Sequence, residues 1–438
     1  MPSPLCGAPG ARRGGPGNRR RLRCPRAVVG LGGVGLDYLA QVAGFPEPDA
    51  KLRTEALEAQ GGGNCGNALT AASRLGCAAR VVSKVGGDGL AQGICRELEG
   101  DGVDCSFMEF GPEGEPSPFT YIIVDRAGGT RTCIHTPGVP PDPAALGAER
   151  IDRILEGATL VYFDGRLTEV ALKLAAAAEA RGVPVLVETE RLRPNLDRLA
   201  MHADVVVTSA HFPTDWTGYA ELGDALVEMS GRLPRAKRII TTLGTRGSVL
   251  LDLEADGSGG EGEGTALNDA IAALEAQCRA GETGRPFRAA SGAEVVPPAV
   301  ASSAAAQVLT QSAAACSEGA RELARVAAST AASMNADSGG SQGYLYGRAP
   351  AAERPGRVVG RVYFAGAAGL APERVEDTTG AGDAFIGSIL YALTHGLGPE
   401  QSLRLAACVA AVKCTALGAR PGLPTAAALP EALLRAAA

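Results

Sequence analysis

The chain has 438 residues, of which 45% are apolar and only 4% aromatic, so it can bury a large, mostly aliphatic core. A net charge of −6 and a pI of about 5.5 exclude a general nucleic-acid binder. No uninterrupted apolar run of about 18 residues occurs, so no membrane span is expected.

In chain order, the first feature is a basic arm over residues 1–26. Arg12, Arg13, Arg19, Arg20, Arg21, Arg23 and Arg26 crowd it, and no acidic residue precedes Asp37. It is rich in Gly, Pro and Arg and lacks the apolar run of a secretory signal. Its composition fits either an organelle transit peptide or a disordered extension. The expected compartment is the cytoplasm, with chloroplast or mitochondrion as the alternative. Eleven cysteines are present without a Cys-x-x-Cys pair or a Cys/His cluster. Cys65, Cys77, Cys95, Cys408 and Cys414 fall in small-residue helical patterns, which points to buried thiols in a reducing compartment.

Residues 27–253 alternate short apolar runs with helical periodicity. Strands are predicted at Ala27–Gly32, Arg80–Val85, Leu160–Phe163, Val185–Val187, Val205–Thr208 and Arg238–Thr242. Between them lie helices such as Glu169–Arg181, where Ala171, Leu174, Ala175 and Ala178 share a face before Gly182 and Pro184 stop it. That alternation predicts an α/β fold with a parallel sheet covered on both faces. The segment Gly30-Leu31-Gly32-Gly33-Val34-Gly35 matches G-x-G-x-x-G. A dinucleotide site needs a helix to begin inside that motif. The following Asp37–Val42, with Pro46 and Pro48 after it, does not suit one.

Four segments break the rhythm: Asp37–Ala43 with Lys51–Gln60, and Thr120–Asp125 with Arg131–Ile134. They predict a small separate sheet suited to act as a lid. Residues 254–356 are Gly/Ser/Ala-rich, as in Gly257–Gly264, with weak helical stretches at Ala270–Arg279 and Ala314–Ala332. A long low-complexity insertion, disordered by composition, is expected there. Residues 357–438 resume the α/β pattern.

The sharpest chemical signal is DTTGAGDAF, Asp377 to Phe385, opening a helix. Gly380, Ala381 and Gly382 leave their main-chain N–H groups free to close on an anion at a helix N-terminus. Asp383 projects from the first turn beside them, where the dipole favours its ionised form. Positioned donors and a carboxylate next to an acceptor hydroxyl are what phosphoryl transfer requires. The second signal is GGGNCGNALTAASRLG, Gly61 to Gly76. Asn64 and Asn67 share one face of a helix start, while Leu69, Ala72 and Leu75 turn to the core. Two amides behind a triple glycine suit a polyhydroxylated ligand.

Together with GLGGVGLDYLAQV and the TLG-x-x-G string at Thr242–Gly247, these motifs resemble the ribokinase/PfkB carbohydrate kinases, nearest the ketohexokinase-like branch. The resemblance covers Ala27–Leu251 and Arg357–Leu423. It implies a three-layer α/β/α domain with a mostly parallel central sheet and a β lid that closes over the sugar and mediates homodimerisation. It implies ATP and Mg²⁺, with K⁺ as a further candidate, and a small-molecule sugar, a ketose such as fructose or else ribose. By position, Asp37, Gly63, Asn64, Asn67 and Arg166 match sugar contacts, Gly380–Gly382 the anion hole and Asp383 the general base. Thr242, Gly244 and Gly247 match the nucleotide loop, and a helix from Leu403 to Leu417 would wall the adenine. The family's Asn-x-x-Glu metal motif is replaced by Ser209-Ala210-His211-Phe212. Glu188 and Glu190, in VETERLR, remain as acidic candidates, and Glu190 is taken as the metal contact. The alternative function is a catalytically silent scaffold of the same fold in an organelle.

Overall fold

A computed structural model describes residues 27–254, 265–303, 307–311 and 357–436. The basic arm, the Gly257–Gly264 string and the Ala314–Ala332 stretch lie outside the described residues.

Apolar runs such as Ala158–Phe163 and Val185–Thr189 are buried along almost their whole length, as expected of strands covered on both faces. They pair in parallel in the order Val103–Glu113, Ala78–Gly87, Ala27–Leu31, Ala158–Phe163, Val185–Thr189, Val205–Ser209 and Arg238–Thr242. Ser248–Asp252 and then Arg357–Ala365 continue the sheet antiparallel. On one face, helices Asn64–Leu75, Ala381–His395 and Pro399–Lys413 bury Leu69, Phe385, Leu390 and Leu403. On the other, Thr168–Ala180, Leu222–Arg232 and Leu267–Ala280 bury Leu174, Leu226 and Leu274. Three layers result.

After Gly30–Gly35 the chain enters strand Gly35–Val42, so no helix follows the glycine motif and the dinucleotide reading fails. That strand joins Ala56–Gly62, Phe119–Asp125 and Thr130–Thr136 in the separate four-stranded sheet expected as the lid. Leu39, Ile122 and Val124 form its small core against Leu417. The boundary at 254 is corrected. Helix Leu267–Ala280 buries Leu267, Ile271, Leu274 and Cys278, and Val300–Ser302 and Gln307–Thr310 pair with Arg357–Ala365. Apolar residues at helical spacing here outweigh the low-complexity flanks. Among the described residues, no helix is long and apolar enough to cross a membrane.

Candidate active site

Parallel strands end on a common side, and there a cleft of about 710 Å³ opens beneath the lid. Glu188, Ser209 and Thr242 reach it from the ends of their strands. The lid supplies Asp37, Thr120, Arg131 and His135.

Two helix starts meet in this cleft. The first follows Gly63, whose φ of 85° and approach to the Gly33 carbonyl oxygen, 2.5 Å from where a Cβ would stand, require glycine. Neither Asn64 nor Asn67 caps the helix. Asn64 instead accepts from Arg166 Nη2 at 3.0 Å and donates to Glu188 Oε1 at 3.3 Å. Asn67 Nδ2 donates to Asp383 Oδ2 at 2.8 Å. The second helix follows Gly380, at φ 74°. The N–H groups of Gly382 and Asp383 lie in its first turn, where an α-helix leaves donors without internal partners. The loop before it is braced. Asp377 accepts from the N–H and hydroxyl of Thr379 at 2.9 and 2.8 Å and from the Gly418 N–H at 2.8 Å. The fully buried Lys413 donates to the Asp377 carbonyl at 2.6 Å, and Arg131 of the lid reaches the Thr378 hydroxyl at 2.6 Å.

Burial pushes Asp383 up to about 6, against the Asn67 hydrogen bond and the charge of Arg166. The helix dipole therefore does not dominate, as the sequence suggested; desolvation does. Asp383 is still mostly ionised at neutral pH. Asp37 is likewise pushed to about 6 by burial, opposed by its hydrogen bond with Thr120. Glu188 is driven well above the usual carboxylate range by burial and then by Asp383 and Asp164, while accepting from Tyr162 Oη at 2.7 Å.

The sequence pattern of pfkB family carbohydrate kinases matches residues 27–266 and 351–426. The chain belongs to this family. Mouse ketohexokinase is 25% identical over 234 residues, covering 52% of this chain and 77% of that protein. Among solved structures, Arabidopsis thaliana ribokinase, complexed with ribose and ATP, aligns at a TM-score of 0.57 and 17% identity, covering 93% of this chain and 98% of that one. Burkholderia thailandensis nucleoside kinase, in complex with inosine, aligns at 0.54 and 16%, covering 93% and 96%.

Within this pfkB-family cleft, Asp37, Gly63, Asn64, Asn67, Arg166, Thr242, Gly380, Gly382 and Asp383 all face the same space. Ala381, Gly244 and Gly247 do not line it. Gly244 faces open space, and Gly247 is needed because a Cβ would stand 2.0 Å from the Ala365 carbonyl. The predicted Leu403–Leu417 helix runs Pro399–Lys413 and packs into the core rather than along this cleft.

Glu190, taken as the metal contact, is enclosed by arginines. Arg166, Arg191 and Arg193 donate to it at 3.3, 2.8 and 3.2 Å. Burial would raise Glu190, but those guanidinium groups hold it below the usual range. Among the described residues no group of three or more His, Cys, Asp or Glu could hold a metal. The protein side thus does not fit a resident Mg²⁺; an ion of this kind keeps waters and leans on substrate phosphates.

Sequence reasoning missed Asp164 and Arg420. The buried Asp164 accepts from the N–H groups of Gly33 at 2.6 Å and Arg166 at 3.0 Å. A Cβ on Gly32 would stand 2.3 Å from its carboxyl carbon, which explains a glycine of the decoy motif. The neighbouring Arg166 in YFDGR was the available signal. Arg420 is 1% exposed and bonds Asn67. Its only hint was an arginine set in a Gly/Pro-rich string.

Proposed function

We propose that this pfkB-family chain transfers the γ-phosphate of ATP to a hydroxyl of a sugar, a ketose such as fructose or else ribose. Asp383 takes the hydroxyl proton, the acceptor oxygen bonds to the γ-phosphorus, and the bond from that phosphorus to the ADP oxygen breaks. Gly380 and Gly382 present main-chain donors to the charge that spreads over the transferring oxygens, whereas the Ala381 N–H, expected to join them, is taken by the Thr378 carbonyl at 3.2 Å. Asp37, Gly63, Asn64, Asn67 and Arg166 bind and orient the acceptor. Thr242, with Gly244 and Gly247 beyond it, shapes the nucleotide end; any Mg²⁺ would be carried by the nucleotide phosphates and would supply charge neutralisation there.

One observation carries this reading: the 2.8 Å bond from Asn67 to Asp383. It brings the amide-rich and glycine-rich strings together in one lidded cleft. Phe119 is the one Phe, Tyr or Trp among the residues lining that cleft, which supports a sugar over a base-stacked nucleoside. Leu57, Tyr121 and Ile134 stand more than half exposed on the lid and suit a homodimer formed through it.

ADP release is to be measured across sugars and nucleosides with Mg²⁺ and K⁺ present. Turnover with a sugar is expected, and Asp383→Asn should lower kcat by about 10²–10⁴-fold while keeping ATP binding. No sugar-dependent ADP release would favour the silent scaffold. Near-normal turnover in the variant would end the assignment of the base.

A further inference from the structure

Arg420 is not among the residues lining the cleft, yet each end of its guanidinium group is committed. Nε donates to Asn67 Oδ1 at 3.0 Å, Nη1 to Glu97 Oε1 at 3.3 Å and Nη2 to the Gly62 carbonyl at 3.0 Å. The surrounding glycines make room for it. A Cβ on Gly61 would stand 2.0 Å from Nη1, and one on Gly66 would stand 2.6 Å from Nη2. Burying an arginine is costly unless its donors are paired, so this one is held by a dedicated set of partners.

The two ends of an asparagine amide are nearly equal in size, and its neighbours decide which end points where. Arginine has no acceptor, so Nε of Arg420 demands the oxygen of Asn67. The amide nitrogen is then left for Asp383. A flipped amide would set its oxygen against the Asp383 carboxylate and its NH₂ against the Nε–H of Arg420, losing both bonds.

We propose that Arg420 is a positioning residue for phosphoryl transfer: it fixes the amide of Asn67 so that Nδ2 faces the carboxylate of Asp383. The inference rests on Asp383 being the general base. Asp383 is also faced by Glu188 and Glu190 at the end of one strand, by Arg166 beyond another and by Asp37 from the lid. Tyr162, Cys65 and Lys413 are near enough to feel its charge. These groups are common to the wild type and to Arg420→Lys, which also keeps the positive charge that acts on Asp37, so a change between those two reports the Asn67 bond.

The test is the pH profile of kcat/KM in Arg420→Lys, which keeps the positive charge but loses the planar fork. The acid limb is expected to move upward by about one unit, so the rate falls about fivefold more at pH 6 than at pH 8.5. Arg420→Gln should move the limb in the same direction, with the loss of a positive charge near Asp37 added to the effect. Glu97→Gln removes the ion pair but not the bond to Asn67, and should lower the melting temperature while leaving the limb in place. A wild-type limb in folded Arg420→Lys, or an equal loss at every pH, overturns the proposal. If neither Arg420 variant folds, the side-chain amide signal of Asn67 in the wild-type protein decides, assigned by its loss in Asn67→Asp. It must titrate with the acid limb, and a pH-independent signal overturns the proposal. An active Asp383→Asn would instead remove the base reading beneath it.

Discussion

Asp383 has to accept a proton near neutral pH from a position where burial opposes its charge. Its acid form is favoured in the folded chain, where it titrates at about 6 rather than 3.8. A proton held more tightly by the folded state stabilises it fully below 3.8, and that stability is lost as pH rises through about 6. The ionised group therefore costs roughly 3 kcal/mol at pH 8. Asp383→Asn should accordingly melt several degrees above the wild type at pH 8, with the gap closing towards pH 4. An equal or lower melting point at pH 8 would show that the site was not desolvated. For the same reason, wild-type kcat/KM should climb with pH through about 6 and then level off. Asp383 and Asn67 were legible in the sequence because glycine and amide spacing marks them. Their partners were not: Arg420 meets Asn67 across 353 positions, and no local pattern encodes that encounter.

The lid and the segment after Glu254 read very differently as elements. Lid strands alternate polar and apolar residues between turn-forming Gly and Pro, and that period of two survives at any distance from the core. Helix Leu267–Ala280 sits among Gly- and Ser-rich neighbours, so the sequence showed it as a weak helical stretch at Ala270–Arg279 while average composition hid its place in the core. Its own spacing of Leu267, Ile271, Leu274 and Cys278 was the better guide, since those residues pack under the sheet beside Arg357–Ala365. If the helix is part of the core rather than an ornament, truncating it must leave a cavity. Leu274, 3% exposed, is the test position. Leu274→Ala should cost about 2–5 kcal/mol in urea unfolding, and a loss under about 1 kcal/mol would place the helix outside the cooperative unit.

At the scale of the whole molecule, the three layers and lid were readable because alternating strands and helices allow few arrangements. The path of the chain through its insertion was not, because strand pairing across so long a connection leaves no mark in composition. Pairing now fixes that path. Gln307–Thr310 runs antiparallel to Arg357–Ala365 with Thr310 opposite Arg357, so the chain leaves and re-enters the sheet at adjacent positions. Residues 312–356 therefore connect two points that a short hairpin turn would also join. Closing a loop costs only about 0.6 kcal/mol per doubling of its length, so a roughly elevenfold shortening should relieve roughly 2 kcal/mol rather than strain the fold. A chain in which a four-residue Gly/Asn turn replaces 312–356 should melt no lower than the parent. It should keep sugar-dependent ADP release within about threefold, because the turn joins the paired strand ends at Thr310 and Arg357, neither of which lines the cleft holding residues 64, 67 and 383. A folded but inactive deletion would place the segment in the catalytic cycle, and an unfolded one would mean that the pairing of Thr310 with Arg357 depends on it.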